Sequence, residues 1–212
     1  MKQIRLLMIS ILAALAITAI ATTTASAASF SVETGASALL LETVVVTENS
    51  VLTASGQPEI ECSKISVRGG HFENGSSTAT IAAIKFFGCI DNSSPTKCVV
   101  TTIETKPITV TLVAGTQAHF TKEEFKPTSG TEFTSFKLIN KGEISCGTTG
   151  NLNVNGKATS LEENNSNQQT THILGFNIPS SAKELFYATK EASLKGKGVL
   201  TLTSGLKWSL LA

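Results

Sequence analysis

The sequence predicts an all-β fold: an antiparallel β-sandwich or flattened barrel with two disulfides and at most one short helix. Three observations predict it. Short runs rich in Thr, Val, Ile and Phe alternate with period two along the chain, turn residues separate them, and four cysteines occur without a CxxC pair. Alternating βα units would need a different order of elements, and the many short strands with frequent turns argue against them.

The chain opens with Lys2 and Arg5, runs through an almost unbroken apolar stretch from Leu6 to Ile20, and reaches the small residues Ala25-Ser26-Ala27. This three-part pattern predicts a secretory signal over residues 1–27, cleaved near Ala27, and one β-rich extracytoplasmic domain over 28–212. As a helix the apolar stretch would reach about 22 Å at about 1.5 Å per residue, short of a hydrocarbon core of about 30 Å. The cleaved chain is therefore expected to be secreted, without membrane insertion. Lys2 and Arg5 are two of the 17 basic side chains, so the cleaved chain falls one short of its 16 acidic ones. With charged residues at 16% and no basic block, electrostatics cannot drive strong binding to nucleic acid or an anionic membrane. The expected partner is an unidentified cell-envelope or extracellular one.

Strand signals occur at Leu39 to Thr47, Glu59 to Val67, Thr78 to Phe87, Lys97 to Thr105, Ile108 to Val113, Thr131 to Ile139, Asn151 to Val154 and Val199 to Thr203. Ile108, Val110 and Leu112 share one face, and Leu206, Trp208 and Leu210 repeat that spacing near the C-terminus. Between Glu59 and Val67 the apolar parity switches, from Ile60 and Cys62 to Ile65 and Val67, which predicts a bulge near Ser63 and Lys64. Asn74-Gly75 and Asn155-Gly156 predict tight hairpins, and Pro127 to Gly130 a further turn. Ser160 to Thr171 is almost wholly polar and reads as a loop or a long hairpin tip that buries little. Ser181 with Glu184 forms a capping box after Pro179, with Leu185, Ala188 and Ala192 on one side, so 181–192 reads either as a short helix or as a strand.

Export places Cys62, Cys89, Cys98 and Cys146 where thiols oxidise, and the even count favours two disulfides over a zinc site. Cys89 and Cys98 flank a turn-rich segment, so the preferred pairing is Cys89–Cys98 with Cys62–Cys146. On the loop-entropy model these would contribute about 2.7 and about 4.6 kcal/mol.

The chemistry available is narrow. No GxSxG elbow is present, and Ser94-Pro95-Thr96-Lys97 fits SxxK only in a loop where lysine has no helical turn on which to reach the serine. His71, His119 and His172 are too far apart for a metalloprotease motif, and His119 with Glu123 is a loose echo of one. Asp91 is the single aspartate, which excludes an aspartic dyad and an Asp-rich calcium loop. Paired glutamates for glycoside hydrolysis could come from Glu59 and Glu61, Glu123 and Glu124, or Glu162 and Glu163. A solvated strand face accounts for the same residues, and one Trp and one Tyr make a poor sugar platform. Sequons at Asn74, Asn92 and Asn164 matter only in a glycosylating host, and Lys195-Gly196-Lys197-Gly198 lacks the third glycine of a phosphate loop. No catalytic residue, no cofactor and no metal ligand is expected.

The order Cys62, Gly88-Cys89, Cys98, the run Phe125-Lys126-Pro127-Thr128-Ser129-Gly130-Thr131-Glu132-Phe133-Thr134-Ser135-Phe136, then Cys146 and Val154-Asn155-Gly156 resembles a group of exported, Thr- and Gly-rich, four-cysteine β proteins of soil actinobacteria. The likeness covers roughly residues 60 to 212, and the stretch from Phe136 to Cys146 is longer here than in the group's pattern. The group has no known catalytic residue, so the resemblance implies no site. Two functions follow as expectations: a noncatalytic secreted or cell-surface β-domain serving in envelope structure or binding, or, as the alternative, a secreted carbohydrate-active enzyme using two glutamates.

Overall fold

The computed structural model describes residues 28–34, 38–40, 45–93, 98–113, 121–140, 146, 150–162 and 168–211. The proposed signal, the SxxK segment, His119, Glu163 and the Asn164 sequon lie outside them. The strands are β1 (Ser29–Val32), β2 (Ala38–Leu40), β3 (Val45–Ala54), β4 (Ile60–Arg68), β5 (Gly70–Phe72) and β6 (Thr78–Ile81). They continue with β7 (Ala83–Asp91), β8 (Cys98–Val100), β9 (Ile103–Thr105), β10 (Ile108–Val113), β11 (Lys122–Pro127) and β12 (Glu132–Asn140). The last are β13 (Asn151–Gly156), β14 (Ala158–Glu162), β15 (Thr171–Ile178), β16 (Leu185–Tyr187), β17 (Lys190–Thr201) and β18 (Trp208–Leu211). All their pairings are antiparallel.

The order β16-β13-β12-β8-β7-β4-β3-β17 closes on itself through the β16–β17 pairing, giving an eight-stranded antiparallel barrel. β8 and β9 act as one interrupted strand, since both bridge β7 and β12. Closure removes the unpaired edges that an open sheet would expose. The sheet then branches from β17 through β15, β14, β11, β10, β6 and β5 to β2, while β1 and β18 form a separate two-stranded ribbon. The all-β class and the barrel alternative of the sequence reading are the observed architecture.

Period-two alternation explains what fills it. Leu152 and Val154 on β13, Leu185 and Tyr187 on β16, and Ile60 and Cys62 on β4 point inward and are buried. The parity switch in β4 is real, but no residue is inserted. Cys62 pairs with Cys89 and Lys64 with Phe87 in one unbroken register, so β4 and β7 change face together. Gly88 permits this at φ +59°, where a Cβ would lie 2.3 Å from Ser63 Oγ. A joint twist across two strands, not a bulge, lets their ends serve two adjoining cores.

Of the two readings of 181–192 the strand is the observed one: a single 3-10 turn at Ser180–Ala182, which no side chain caps, precedes β16 and β17. Period two at Leu185 and Tyr187 overrides the capping box, and Glu184 instead accepts from Thr159 at 3.0 Å and pairs with Lys157 at 3.5 Å. Neither Asn-Gly pair makes a two-residue hairpin. Asn74-Gly75 lies in a longer connection from β5 to β6, and Asn74 Oδ1 accepts the Val32 N–H at 2.8 Å. Gly156, at φ +104°, turns the chain out of the barrel into β14, and a Cβ there would lie 2.1 Å from the Glu184 carbonyl.

The tight hairpin that closes the barrel is instead Ala188-Thr189, both at positive φ (47° and 71°) between Tyr187 and Lys190. Sequence offered no glycine or asparagine to mark it. Thr189 is exposed, and its left-handed backbone costs roughly 1 kcal/mol in an L-residue. Thr189→Gly is expected to stabilise the protein by about 1 kcal/mol and raise Tm by about 2–4 °C. A thermal melt followed by circular dichroism checks this; an unchanged or lower Tm would contradict the turn.

The disulfides are Cys62–Cys89 and Cys98–Cys146, which overturns the Cys89–Cys98 and Cys62–Cys146 pairing. Register explains the difference. Cys62 sits directly opposite Cys89, with Cα atoms 4.0 Å apart, whereas Ile90 pairs with Val99 and so sets Cys89 opposite Val100. Cys98 pairs with Asn140, whose Oδ1 accepts the Cys146 N–H at 2.8 Å. Two disulfides fit an oxidising, extracytoplasmic environment. Among the described residues no helix is long and apolar enough to cross a membrane.

Candidate functional site

The polar stretch from Ser160, read as a loop or a long hairpin tip, begins within strand β14, which pairs with β15, and there Ser160 and Glu162 are not solvated. Ala158, Ser160 and Glu162 occupy successive inward positions and are all buried, with Ser160 and Glu162 at 0% exposure. β11 brings Glu123 opposite Ser160, and β15 brings His172 alongside Glu162. Glu123 and His172 are buried as well. A cluster of two carboxyls, an imidazole and a hydroxyl thus sits inside the sheet, at the end covered by the β1–β18 ribbon.

The ribbon is fastened to this cluster and to the turn before β6. His172 Nε2 lies 2.9 Å from the Trp208 carbonyl, which can only accept, so Nε2 carries a proton and donates. Nδ1 meets Glu162 Oε1, and one proton lies between them whether the pair is imidazolium with carboxylate or imidazole with carboxylic acid. The Thr121 hydroxyl donates to the Leu210 carbonyl at 2.9 Å, and Gln169 exchanges two backbone hydrogen bonds with Trp208. On the other strand Phe30 donates to the Ser76 carbonyl at 2.8 Å and accepts from Gly75 at 2.7 Å. Phe30 stacks on Phe72 at 4.6 Å between centroids, and the Trp208 ring meets His172 edge-on at 4.2 Å.

The electrostatics are those of a sealed site. Ser160 donates to Glu123 Oε2, yet burial, and secondarily the nearby Glu162, push the Glu123 carboxyl up to about 8. Glu123 is therefore neutral at pH 7. Glu123 Oε1, Glu162 Oε2 and Trp208 Nε1 are buried without partners, so three of the four such atoms among the described residues belong to this cluster. The fourth is the Tyr187 hydroxyl inside the barrel, whose pKa burial and Asp91 raise. A cavity of about 20 Å³ adjoins Glu123 between Phe125, Trp208 and Leu210, room for about one water molecule. The cluster can hold and share protons, and its four side chains are buried among the described residues.

The other candidates separate. Glu59, just before β4, and Glu61 within it do converge. Asn92 Nδ2 donates to both, at 3.0 and 2.6 Å, and Asn49 adds a bond to Glu61. These amide donors hold the Glu61 carboxyl below the usual carboxylate range. Glu123 and Glu124 point to opposite faces, Glu124 pairing outside with Lys157 at 2.5 Å. His71 lies on β5, at the far end of the branched sheet from the barrel. Lys195 to Gly198 lie within β17 and not in a loop. Among the described residues no three His, Cys, Asp or Glu side chains are arranged to hold a metal ion.

The pairs Glu123–Ser160 and Glu162–His172 escaped the sequence reading. Period two at Ala158, Ser160 and Glu162 was the one signal available, and their polarity masked it. The fold and site together define a disulfide-bridged, closed β-barrel with a branched sheet and a polar seam under a terminal ribbon. No family model, no curated protein and no solved structure matches the chain.

Proposed function

We propose that this chain is a noncatalytic secreted or cell-surface β-domain, serving in bacterial envelope structure or in binding an extracellular partner. The observation that carries the reading is the disposition of the carboxyls. Among the described residues Glu123 and Glu162 are the only buried glutamates and lie under the ribbon, while Glu59 and Glu61 lie outside, each accepting a hydrogen bond from Asn92. A hydrolase needs an acid and a base that reach one bond in a cleft. The leader-like residues 1–27, the two disulfides and the likeness to exported four-cysteine proteins of soil actinobacteria support an exported destination.

The test has two arms. Fractionation of producing cells is expected to place the cleaved chain in the envelope or medium. The purified protein is expected to release no sugar from a panel of polysaccharides and peptidoglycan. Glycan turnover that disappears in Glu59→Gln or Glu61→Gln would establish the carbohydrate-active alternative instead.

A further inference from the structure

The joint change of face in β4 and β7 leaves a seam between the barrel core and the core under the branched sheet, and that seam is not filled. A cavity of about 70 Å³ lies on one side, lined by Phe86, Phe125, Phe133, Leu174, Phe176 and Leu194. A second of about 50 Å³ lies on the barrel side. The two share Ser50, Phe86, Phe133 and Leu194, so only side chains stand between them, and a rotamer change there would join them into one chamber. Together they approach the void of about 150 Å³ that, lined by Leu, Ile and Phe, stays dry and takes up benzene or xenon.

We propose that this chamber is a binding site for a small uncharged apolar molecule, of the size of an aromatic ring or a short branched hydrocarbon. The lining sets the class. Aromatic and aliphatic carbon surrounds the space, and a ring meets Phe edges and faces there in favourable geometry. The one charged liner, Lys197, has its ammonium 3.1 Å from Glu48. No free counter-charge awaits an anionic head group, and the volume is too small for a long acyl chain. The site goes beyond the proposed module role and does not depend on it: glycan turnover bears on that role and leaves the chamber untouched.

The test uses benzene and xenon on the intact protein. At about ten times its Kd, benzene is expected to raise the folded-to-unfolded ratio about elevenfold and Tm by about 3–5 °C. Methyl resonances of Leu174 and Leu194 are expected to move most, a measurement that needs no variant. Ala158 is buried and lines the larger cavity, so Ala158→Leu should fill it and abolish both effects. Phe86→Leu, which enlarges the chamber, should tighten binding and strengthen the xenon shift. No benzene-induced change in the wild-type protein, or equal changes in wild type and Ala158→Leu, would overturn the site.

Discussion

Replacing Cys98 and Cys146 by alanine is expected to lower stability by about 4 kcal/mol, and replacing Cys62 and Cys89 by about 3.5 kcal/mol. The values follow from sequence separations of 48 and 27 residues, because a longer closed loop removes more freedom from the unfolded chain. Cys62, Cys98 and Cys146 are buried, so each alanine pair also gives up sulfur packing and the losses should not fall below these figures. The two bridges differ in what else holds their ends. Cys62 and Cys89 remain neighbours through the β4–β7 ladder, whereas Cys146 lies outside any strand and its N–H donates to the Asn140 side chain of β12. Urea titration of the three proteins at equal m measures the losses, and peptide mapping without reductant reads the pairing. Recovery of Cys89 linked to Cys98 would overturn the observed connectivity and the barrel register that imposes it.

That register is also where sequence legibility stops. Ile108–Val113 and Asn151–Val154 announce themselves because their apolar residues alternate with polar ones that stay accessible, and Trp208 and Leu210 repeat that spacing although Ser209 between them is buried. β14 does not, because Ser160 and Glu162 take inward positions and find partners on β11 and β15. Nothing local in Ala158–Glu162 reveals that Glu123, 37 residues before Ser160, will lie opposite it. β16 was ambiguous for the opposite reason: Leu185, Ala188 and Ala192 fit a helix face while Leu185 and Tyr187 fit a strand, and only the closing pairing with β17 decides. The cysteines carry the same lesson. Closeness along the chain favoured Cys89 with Cys98, but in a sheet the residue across the ladder is the neighbour that counts. The candidate site was therefore legible as residue types and illegible as pairs, since pairing belongs to strand register.

Glu123→Gln is expected to stabilise the protein at neutral pH by about 3 kcal/mol, an unusual result for a fully buried residue. The folded carboxyl is raised from 4.5 to about 8, so the folded state holds its proton more tightly than the unfolded chain does. That preference is fully present below about pH 4.5 and is lost progressively as pH rises to about 8. At pH 7 the unfolded chain has released a proton that the folded protein keeps, and at about 1.4 kcal/mol per unit the loss reaches about 3 kcal/mol. Glutamine removes the titration and retains a carbonyl that accepts from the Ser160 hydroxyl. Glu162 and His172 face the same space from β14 and β15 and are present in both proteins, so the difference between wild type and variant isolates Glu123. Glu124→Gln, on the outward face, serves as the control and is expected to change stability by less than about 1 kcal/mol through its partly exposed pair with Lys157. Urea melts at pH 5, 7 and 8 should show the wild type weakening and the variant level, with the curves nearest at pH 5. A wild type that gains stability across this range, or a variant no more stable at pH 8, would mean that the carboxyl under the ribbon is already charged and that the polar seam is held by a different proton.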